Sequence, residues 1–110
     1  MKPSAIVCFN QSKTRRLRES LTDGTFEEDA AVFKALGNSK RLELLHVLCS
    51  EPCCVCDLSH ILECSIASVS QHLKLLKSVG LVDSVRDGKF LIYSVTERAA
   101  LYTRAECRIS

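Results

Sequence analysis

The sequence lacks any long hydrophobic run and carries little net charge. No stretch of its 110 residues approaches the roughly 20 apolar residues that span a membrane. The first eighteen residues are polar and basic and do not contain the apolar core of a secretion signal. The net charge is only +2, which does not by itself indicate nucleic-acid binding. These absences predict a cytoplasmic protein without membrane contact, in which any DNA-binding surface depends on local charge placement.

Cysteine, in contrast, is abundant. The chain has seven cysteines, an odd number, and no secretion signal accompanies them. This combination argues against a disulfide framework and favours metal or redox chemistry. Three of the seven, Cys53, Cys54 and Cys56, lie within four positions of each other. At 110 residues the chain predicts one domain with a modest core, so we expect a dimer.

The chain divides into an N-terminal arm, residues 1–24, and a domain, residues 25–110. The arm shows no sustained periodicity and is basic, which suits either a DNA contact or a solvated tail. The domain begins with Thr25 and Glu28, a capping-box pattern before a helix that ends at Gly37.

A second helix is predicted after Gly37, with Asn38 or Ser39 as its cap and Pro52 beyond its end. Helical spacing of its apolar residues predicts a face that is turned toward the core. The predicted buried residues of this helix are Leu42, Leu45, Val47, Leu48 and Cys49.

The stretches "CDLSHILE" and "SIASVSQHLKLLKSVG" predict a helix-turn-helix, whose second helix begins after Ser65 and ends at Gly80. Its apolar stripe is Ile66, Val69, Leu73 and Leu76, and its opposite face is Ala67, Ser70, Gln71, Lys74 and Ser78. No acidic residue occurs between Cys64 and Val82, which suits a helix that approaches phosphates. The predicted DNA-contacting residues of this helix are Ser68, Ser70, Gln71 and Lys74.

The stretch "LVDSVRDGKFLIYSV" alternates in strand fashion on both sides of Asp87-Gly88, which predicts a β-hairpin that acts as a wing. Arg86 and Lys89 flank its tip, where they contact the DNA backbone or serve solubility alone. The segment "ERAALYTRAECR" predicts a short helix for dimer packing, with apolar surface from Ala99, Ala100, Leu101 and Tyr102.

These elements resemble the ArsR/SmtB family of metal-responsive repressors over roughly residues 28–100. The resemblance rests on "CVCDL", "SVSQHLKLLKSVGLV" and "RDGKFLIYSV" in this order. Within the family the chain looks most like the cadmium/lead sensors and next most like the arsenite sensors. The resemblance implies a mainly α winged helix-turn-helix homodimer with a small β-hairpin, and no enzymatic activity. Such a dimer binds double-stranded operator DNA when metal-free and releases it when a metal or metalloid binds.

The resemblance also implies a set of ligands. Cys54 and Cys56 match the family's Cys-x-Cys site, and Cys8 matches a ligand on the arm. The cadmium/lead sensors generally have two arm cysteines, so Cys53 is a further candidate for the remaining position. Cys54 and Cys56 point to the same side if the backbone there is extended, and the following helix start favours thiolates. Thiolate sulfur is a soft ligand and selects cadmium, lead, zinc or arsenite over magnesium and calcium. We expect such an ion as the effector and no organic cofactor.

Three other interpretations of the cysteines remain. A structural zinc site normally shows two close Cys/His pairs, whereas this chain has one cluster. The C-x-x-C from Cys53 to Cys56 lacks the strand-helix-strand context of a redox enzyme. A regulator of the same fold that is switched by a disulfide, for instance one involving Cys107, shares the DNA-binding half and differs only in its signal.

Overall fold

A computed structural model describes residues 9–103 of the chain, which form five α-helices and a small three-stranded sheet. The helices are α1 (Gln11–Ser20), α2 (Phe26–Leu36), α3 (Ser39–Ser50), α4 (Val55–Leu62) and α5 (Ile66–Ser78), with short 3-10 helices at Leu21–Asp23 and Glu97–Leu101. The strands are β1 (Cys53–Cys54), β2 (Val82–Asp87) and β3 (Phe90–Val95). Over residues 9–103, no helix combines the length and the apolar character that crossing a membrane requires.

Helix α1 was not predicted from the sequence. Its start is fixed by the side chain of Asn10, whose Oδ1 accepts a hydrogen bond from the Lys13 amide at 2.9 Å. Leu17 is its single apolar residue, so it shows no helical stripe that periodicity could detect. None of its residues is buried, and α1 therefore adds no side chain to the core.

The predicted bounds of α2 and α3 are confirmed, but one predicted cap is wrong. Thr25 does not cap α2 through its side chain. Its hydroxyl instead donates a hydrogen bond to Oδ2 of Asp29 at 3.2 Å. Asn38 caps α3 as predicted, because its Oδ1 accepts a hydrogen bond from the Arg41 amide at 3.1 Å. A side-chain acceptor at this position satisfies one of the free amides at the helix start.

The core lies where α2, α3, α4 and α5 meet β1 and β2, and only part of it follows the predicted stripes. The predicted stripe residues that are buried are Leu45, Leu48, Cys49, Val69, Leu73 and Leu76. Two predicted core residues are wrong: Leu42 is 48% exposed and Ile66 is 55% exposed. Leu42 lies at the edge of the buried face of α3, and Leu44, which was not predicted, is fully buried near its centre. Ile66 is the first residue of α5 and precedes the turn that packs inward. The leucine and valine side chains with no exposed surface are Leu44, Leu58, Val69, Leu73, Leu76 and Leu81.

Helices α4 and α5 form the predicted helix-turn-helix. Glu63 ends α4 in the left-handed region, with φ of 55°. Ser65 then caps α5 by accepting a hydrogen bond from the Ser68 amide at 3.0 Å. Gly80 follows α5 with φ of 81°, a conformation that glycine adopts without steric cost. These three positions fix where α4 ends and where α5 begins and ends.

The hairpin is confirmed, and the structure adds a third strand to it. The last pair of the ladder is Asp87 with Phe90, so the turn consists of Gly88 and Lys89, one residue later than predicted. Strand β1, which the sequence did not predict, pairs antiparallel with β3, and the strand order is β1-β3-β2. A strand of two residues is too short to show an alternating pattern. The wing is therefore joined through β3 to the cysteine cluster.

The predicted helix after β3 is a 3-10 helix, Glu97–Leu101, within the described residues. Ala99 is fully buried in the core, so its predicted place on a dimer surface is wrong. Tyr102 donates a hydrogen bond from its hydroxyl to Oδ1 of Asp29 at 2.8 Å, and this bond raises the pKa of Tyr102. Its ring also meets Phe33 edge-on, with 5.4 Å between centroids. The segment after β3 is thus fastened to α2.

Gly88 and Gly37 differ in backbone conformation, so replacing each with alanine should change the free energy of unfolding in opposite directions. Gly88 has φ of 65° with open space around it, so Gly88→Ala should cost about 1–2 kcal/mol through backbone strain alone. Gly37 has φ of −80°, and an added Cβ would lie 3.5 Å from its nearest atoms. Gly37→Ala should therefore be neutral or stabilise by about 0.4–1 kcal/mol. Urea denaturation at one protein concentration measures both effects, and equal midpoint shifts would contradict this account of the turn.

Candidate nucleic-acid interface and cysteine cluster

The outer face of α5 presents the polar surface that the sequence predicted. Ser70, Gln71 and Lys74 are exposed, whereas Ser68 is partly buried. Val69, Leu73 and Leu76 anchor the opposite face with no exposed surface. The helix is therefore held rigidly by its inner face while a small, polar and basic outer face remains free. Such a face can enter a major groove and offer hydrogen bonds to base edges.

The wing places its two predicted basic residues in solvent. Arg86 lies near the end of β2 and Lys89 in the turn, and both are exposed. The structure adds one contact that could not be predicted from the sequence. The two side chains are seven residues apart and lie on different elements, so the contact depends on how these elements pack. Lys77 of α5 donates a hydrogen bond from Nζ to Oγ of Ser84 in β2 at 2.9 Å. This bond joins β2 of the wing to α5, so the wing and α5 can approach DNA as one surface.

Cys54 and Cys56 lie at the start of α4. Cys54 is the residue before the helix, with extended backbone at φ −88° and ψ 167°, and it is partly buried. Helix α4 begins at Val55, so Cys56 is already helical, and the extended backbone under which both thiols would point to the same side is not present. Cys56 is exposed, and both cysteines are free thiols. Cys54 also pairs with Ile92 of β3, which connects this position to the wing.

Cys53 has a different environment from its two neighbours. It is 8% exposed and packs in the hydrophobic core. Its thiol donates a hydrogen bond to the Glu51 carbonyl at 3.6 Å. Burial raises the pKa of Cys53, and the charges of Asp57 and Glu51 and the neighbouring Cys54 add to the shift. A buried thiol that resists deprotonation is a poorer metal ligand than an exposed one.

The described residues do not assemble a complete metal site by themselves. Across residues 9–103, no three side chains of His, Cys, Asp or Glu are grouped so that they could hold a metal ion. Cys8, the predicted ligand on the arm, and Cys107 lie outside these residues. The structure thus brings Cys54 and Cys56 to one helix start, and it leaves Cys53 in the core.

Two further side chains, His60 and Cys64, lie near the cluster. His60 donates a hydrogen bond from Nδ1 to the Cys56 carbonyl at 2.9 Å, which leaves Nε2 as the unprotonated nitrogen of the neutral ring. The spacing of four residues between Cys56 and His60 was the available signal, since such residues share one face of a helix. Cys64, at the junction of α4 and α5, is a free, partly buried thiol whose Sγ contacts the Leu62 carbonyl.

A helix-turn-helix with an anchored inner face, a polar outer face and a glycine-turned hairpin beside it defines a winged-helix DNA-binding protein. Residues 38–84 match the family model described as a bacterial regulatory protein of the arsR family. The chain is 36% identical over 91 residues to the cadmium resistance transcriptional regulatory protein CadC of Listeria innocua, a match that covers 82% of this chain and 76% of that protein. It therefore belongs to the ArsR family of bacterial regulatory proteins.

Other relatives agree with this assignment. The arsenical resistance operon repressor of Bacillus subtilis is 38% identical over 66 residues, which cover 59% of this chain and 63% of that protein. Among solved structures, HlyU of Vibrio cholerae superposes with a TM-score of 0.65 at 28% identity, covering 70% of this chain and 84% of that one. A homodimeric winged helix-turn-helix domain from Mycobacterium bovis gives 0.64 at 26% identity, covering 86% and 79%.

Proposed function

We propose that the chain is a cytoplasmic, homodimeric repressor that binds operator DNA and is released from it by a soft metal or metalloid ion. The observation that carries this proposal is the position of Cys54. It immediately precedes α4, the helix before the DNA-facing helix α5, and it also pairs with Ile92 in the wing strand β3. An ion bound there acts on both parts of the DNA-facing surface at once.

The effector follows from sulfur as the ligand atom. Cys54 and Cys56 supply two sulfurs, and Cys8 supplies a third from the same protomer or from its partner. Three sulfurs suit lead and arsenite, and a fourth ligand suits cadmium or zinc. The names of the cadmium and arsenical resistance regulators among the relatives agree with such effectors. Cys53 is the weaker candidate for the remaining position because it is buried in the core.

The dimer is supported by the apolar surface of α2 and the segment that follows β3. Phe26 and Phe33, two turns apart on α2, are 58% and 61% exposed, and Leu101 is 78% exposed. The contact between Phe33 and Tyr102 places these two segments side by side. A second copy that covers this surface would remove it from water. A dimer also presents two α5 helices to half-sites about 34–36 Å apart, one turn of DNA.

The direct test is an operator titration in reducing buffer, using DNA from upstream of the gene that encodes the chain. The metal-free protein should bind, and Cd(II), Pb(II) or As(III) should weaken binding by about 5- to 150-fold, the usual range of an allosteric coupling. Mg(II) should have no effect, because it prefers oxygen ligands. Failure of all the thiophilic ions to release DNA would reject the sensor. Unfolding after metal removal would instead indicate a structural zinc site.

A second candidate function is a thiol-redox regulator of the same fold. The observation that favours it is that Cys49, at the buried end of α3, is disulfide-bonded. In this case an oxidant would release DNA with all metals chelated, and Cys49→Ser would abolish that release while preserving the response to metals. Release by metal in reductant, with no effect of oxidant, would exclude it.

A further inference from the structure

We propose that Arg41 is a positioning residue for operator recognition, because its guanidinium joins the end of α2 to His72 on the DNA-facing helix α5. Arg41 lies in the first turn of α3. Its Nε donates a hydrogen bond to the Ala35 carbonyl at 2.5 Å, and its NH1 lies 3.3 Å from Nδ1 of His72. Since Arg41 has only donors, His72 accepts through an unprotonated Nδ1. This inference rests on the operator binding proposed above.

The contact joins elements that are far apart in the sequence. Ala35 lies in the last turn of α2, where free carbonyls and the negative end of the helix dipole favour a cation. His72 lies 31 residues after Arg41 and is partly buried, next to the exposed Gln71. Helix α2 carries Phe26 and Phe33, which the proposed dimer covers. Arg41 thereby sets the position of α5 relative to α2 and the proposed dimer surface. That surface determines the spacing between the α5 helices of the two protomers.

A planar guanidinium suits this bridge better than an ammonium group. The fork of Arg41 directs separate N–H groups at two acceptors in fixed directions, whereas a lysine carries one compact charge on a flexible stem. Arg41 is itself held, because its own amide donates to Asn38 at the start of α3. The bridge is therefore a rigid contact between α2, α3 and α5.

Protonation of His72 would break the bridge. It converts Nδ1 into a donor and places a second cation beside the guanidinium. Burial first, and Arg41 second, lower the pKa of His72, so the neutral form persists to lower pH than for an ordinary histidine. Helix α5 packs against α3, α4 and β2. The other titratable or charged groups on these four elements are Lys40, Glu43 and His46 on α3, Cys56, Asp57 and His60 on α4, Lys74 and Lys77 on α5, and Asp83, Arg86 and Asp87 on β2.

The direction in which acid changes operator affinity distinguishes two roles of His72: holding the bridge to Arg41, or contacting DNA directly. A histidine that faced the phosphates would gain attraction on protonation, so acid would tighten binding. A histidine that holds the bridge loses its acceptor on protonation, so acid should weaken specific binding, and only at a pH below the ordinary histidine pKa of about 6.5, because the pKa of His72 is lowered. Non-specific binding depends on total positive charge and should not weaken in the same range.

The experiment measures affinity for the operator and for a random duplex of equal length, from pH 5.5 to pH 8, with metal-free protein. We expect Arg41→Lys to lower operator affinity by about tenfold or more at pH 8, within the range of allosteric couplings, while random-duplex affinity stays within about twofold. His72→Gln, whose amide oxygen can still accept, should keep operator affinity and lose its pH dependence. His72→Leu, which leaves the bond from Arg41 to Ala35 in place, should lose operator preference even if Arg41→Lys does not fold.

Three results would overturn the inference. The first is a parallel fall in operator and random-duplex affinity for Arg41→Lys, which would mark a contact to the DNA backbone instead of a positioning role. The second is equal operator affinity for His72→Leu and His72→Gln, and the third is the same pH profile for wild type and His72→Gln. If wild type shows no preference for its operator at any pH, the operator-binding proposal fails and this inference fails with it.

Discussion

Replacing Cys54 or Cys56 with serine is expected to abolish the release of operator DNA by cadmium, lead or arsenite. The wild type should lose about 5- to 150-fold in affinity when the ion binds, and either variant should change by less than about twofold. Both thiols are free at the start of α4, and a hydroxyl is too hard a ligand for these ions. Metal-free operator affinity should stay near that of the wild type, because neither residue belongs to the outer face of α5.

The matched control is Cys64→Ser. Cys64 is also a free thiol near α4, but its Sγ contacts the Leu62 carbonyl, and a serine hydroxyl can donate to the same acceptor. This variant should respond to metal like the wild type. Ultraviolet absorption from sulfur-to-metal charge transfer gives a second measurement that does not depend on DNA. A full metal response in Cys54→Ser, together with unchanged absorption, would remove this residue from the site.

Metal-induced release and charge-transfer absorption also identify which cysteine supplies the third sulfur ligand. If Cys8 completes the site, Cys8→Ser should lose part of the charge-transfer absorption and most of the release. If Cys53 completes it instead, Cys53→Ser should do so, although Cys53 packs in the core with a raised pKa. Mixed dimers that contain one Cys8→Ser chain and one Cys54→Ser chain report whether the sulfurs come from different protomers. If each site takes Cys8 from one protomer and Cys54 from the other, one of the two sites stays intact. If each site lies within one protomer, both sites are lost.

Local signals in the sequence were sufficient for most of the helices. Asn38 and Ser65 cap α3 and α5 through side-chain acceptors, and Gly80 and Gly88 adopt the left-handed conformations that end α5 and turn the wing. These effects act within a few residues, so they are visible in a short window. Helix α1 escaped prediction because Leu17 alone cannot form an apolar stripe.

Contacts between distant residues account for what the sequence could not reveal. Strand β1 exists because Cys53 and Cys54 pair with a strand that lies nearly forty positions later. Within this pair Cys53 is buried and Cys54 is partly buried, whereas Cys56, on the following helix, is exposed. The bridge from Arg41 to His72 depends in the same way on how α3 packs against α5. The cysteine motif could be found by spacing, but the separate roles of its three thiols required the fold.

Gln71→Ala and Lys74→Ala are expected to weaken operator binding in two different ways. Both side chains lie on the exposed face of α5, with Val69 and Leu73 fixing the helix beneath them. If Gln71 bonds a base edge, its loss should cost about 1–3 kcal/mol with the operator and relax the preference at one position. If Lys74 contacts a phosphate, its loss should weaken all duplexes alike and reduce the salt slope by about 1.

Lys34→Ala is the matched control for both variants. Lys34 is an exposed lysine in the last turn of α2, outside the helix-turn-helix. Its removal changes the net charge as Lys74→Ala does but should leave the salt slope unaltered. Fluorescence anisotropy with operator and random duplexes at several salt concentrations distinguishes these cases. If Lys34→Ala and Lys74→Ala reduced the slope equally, binding would depend on overall charge, and the outer face of α5 would not be the reading surface.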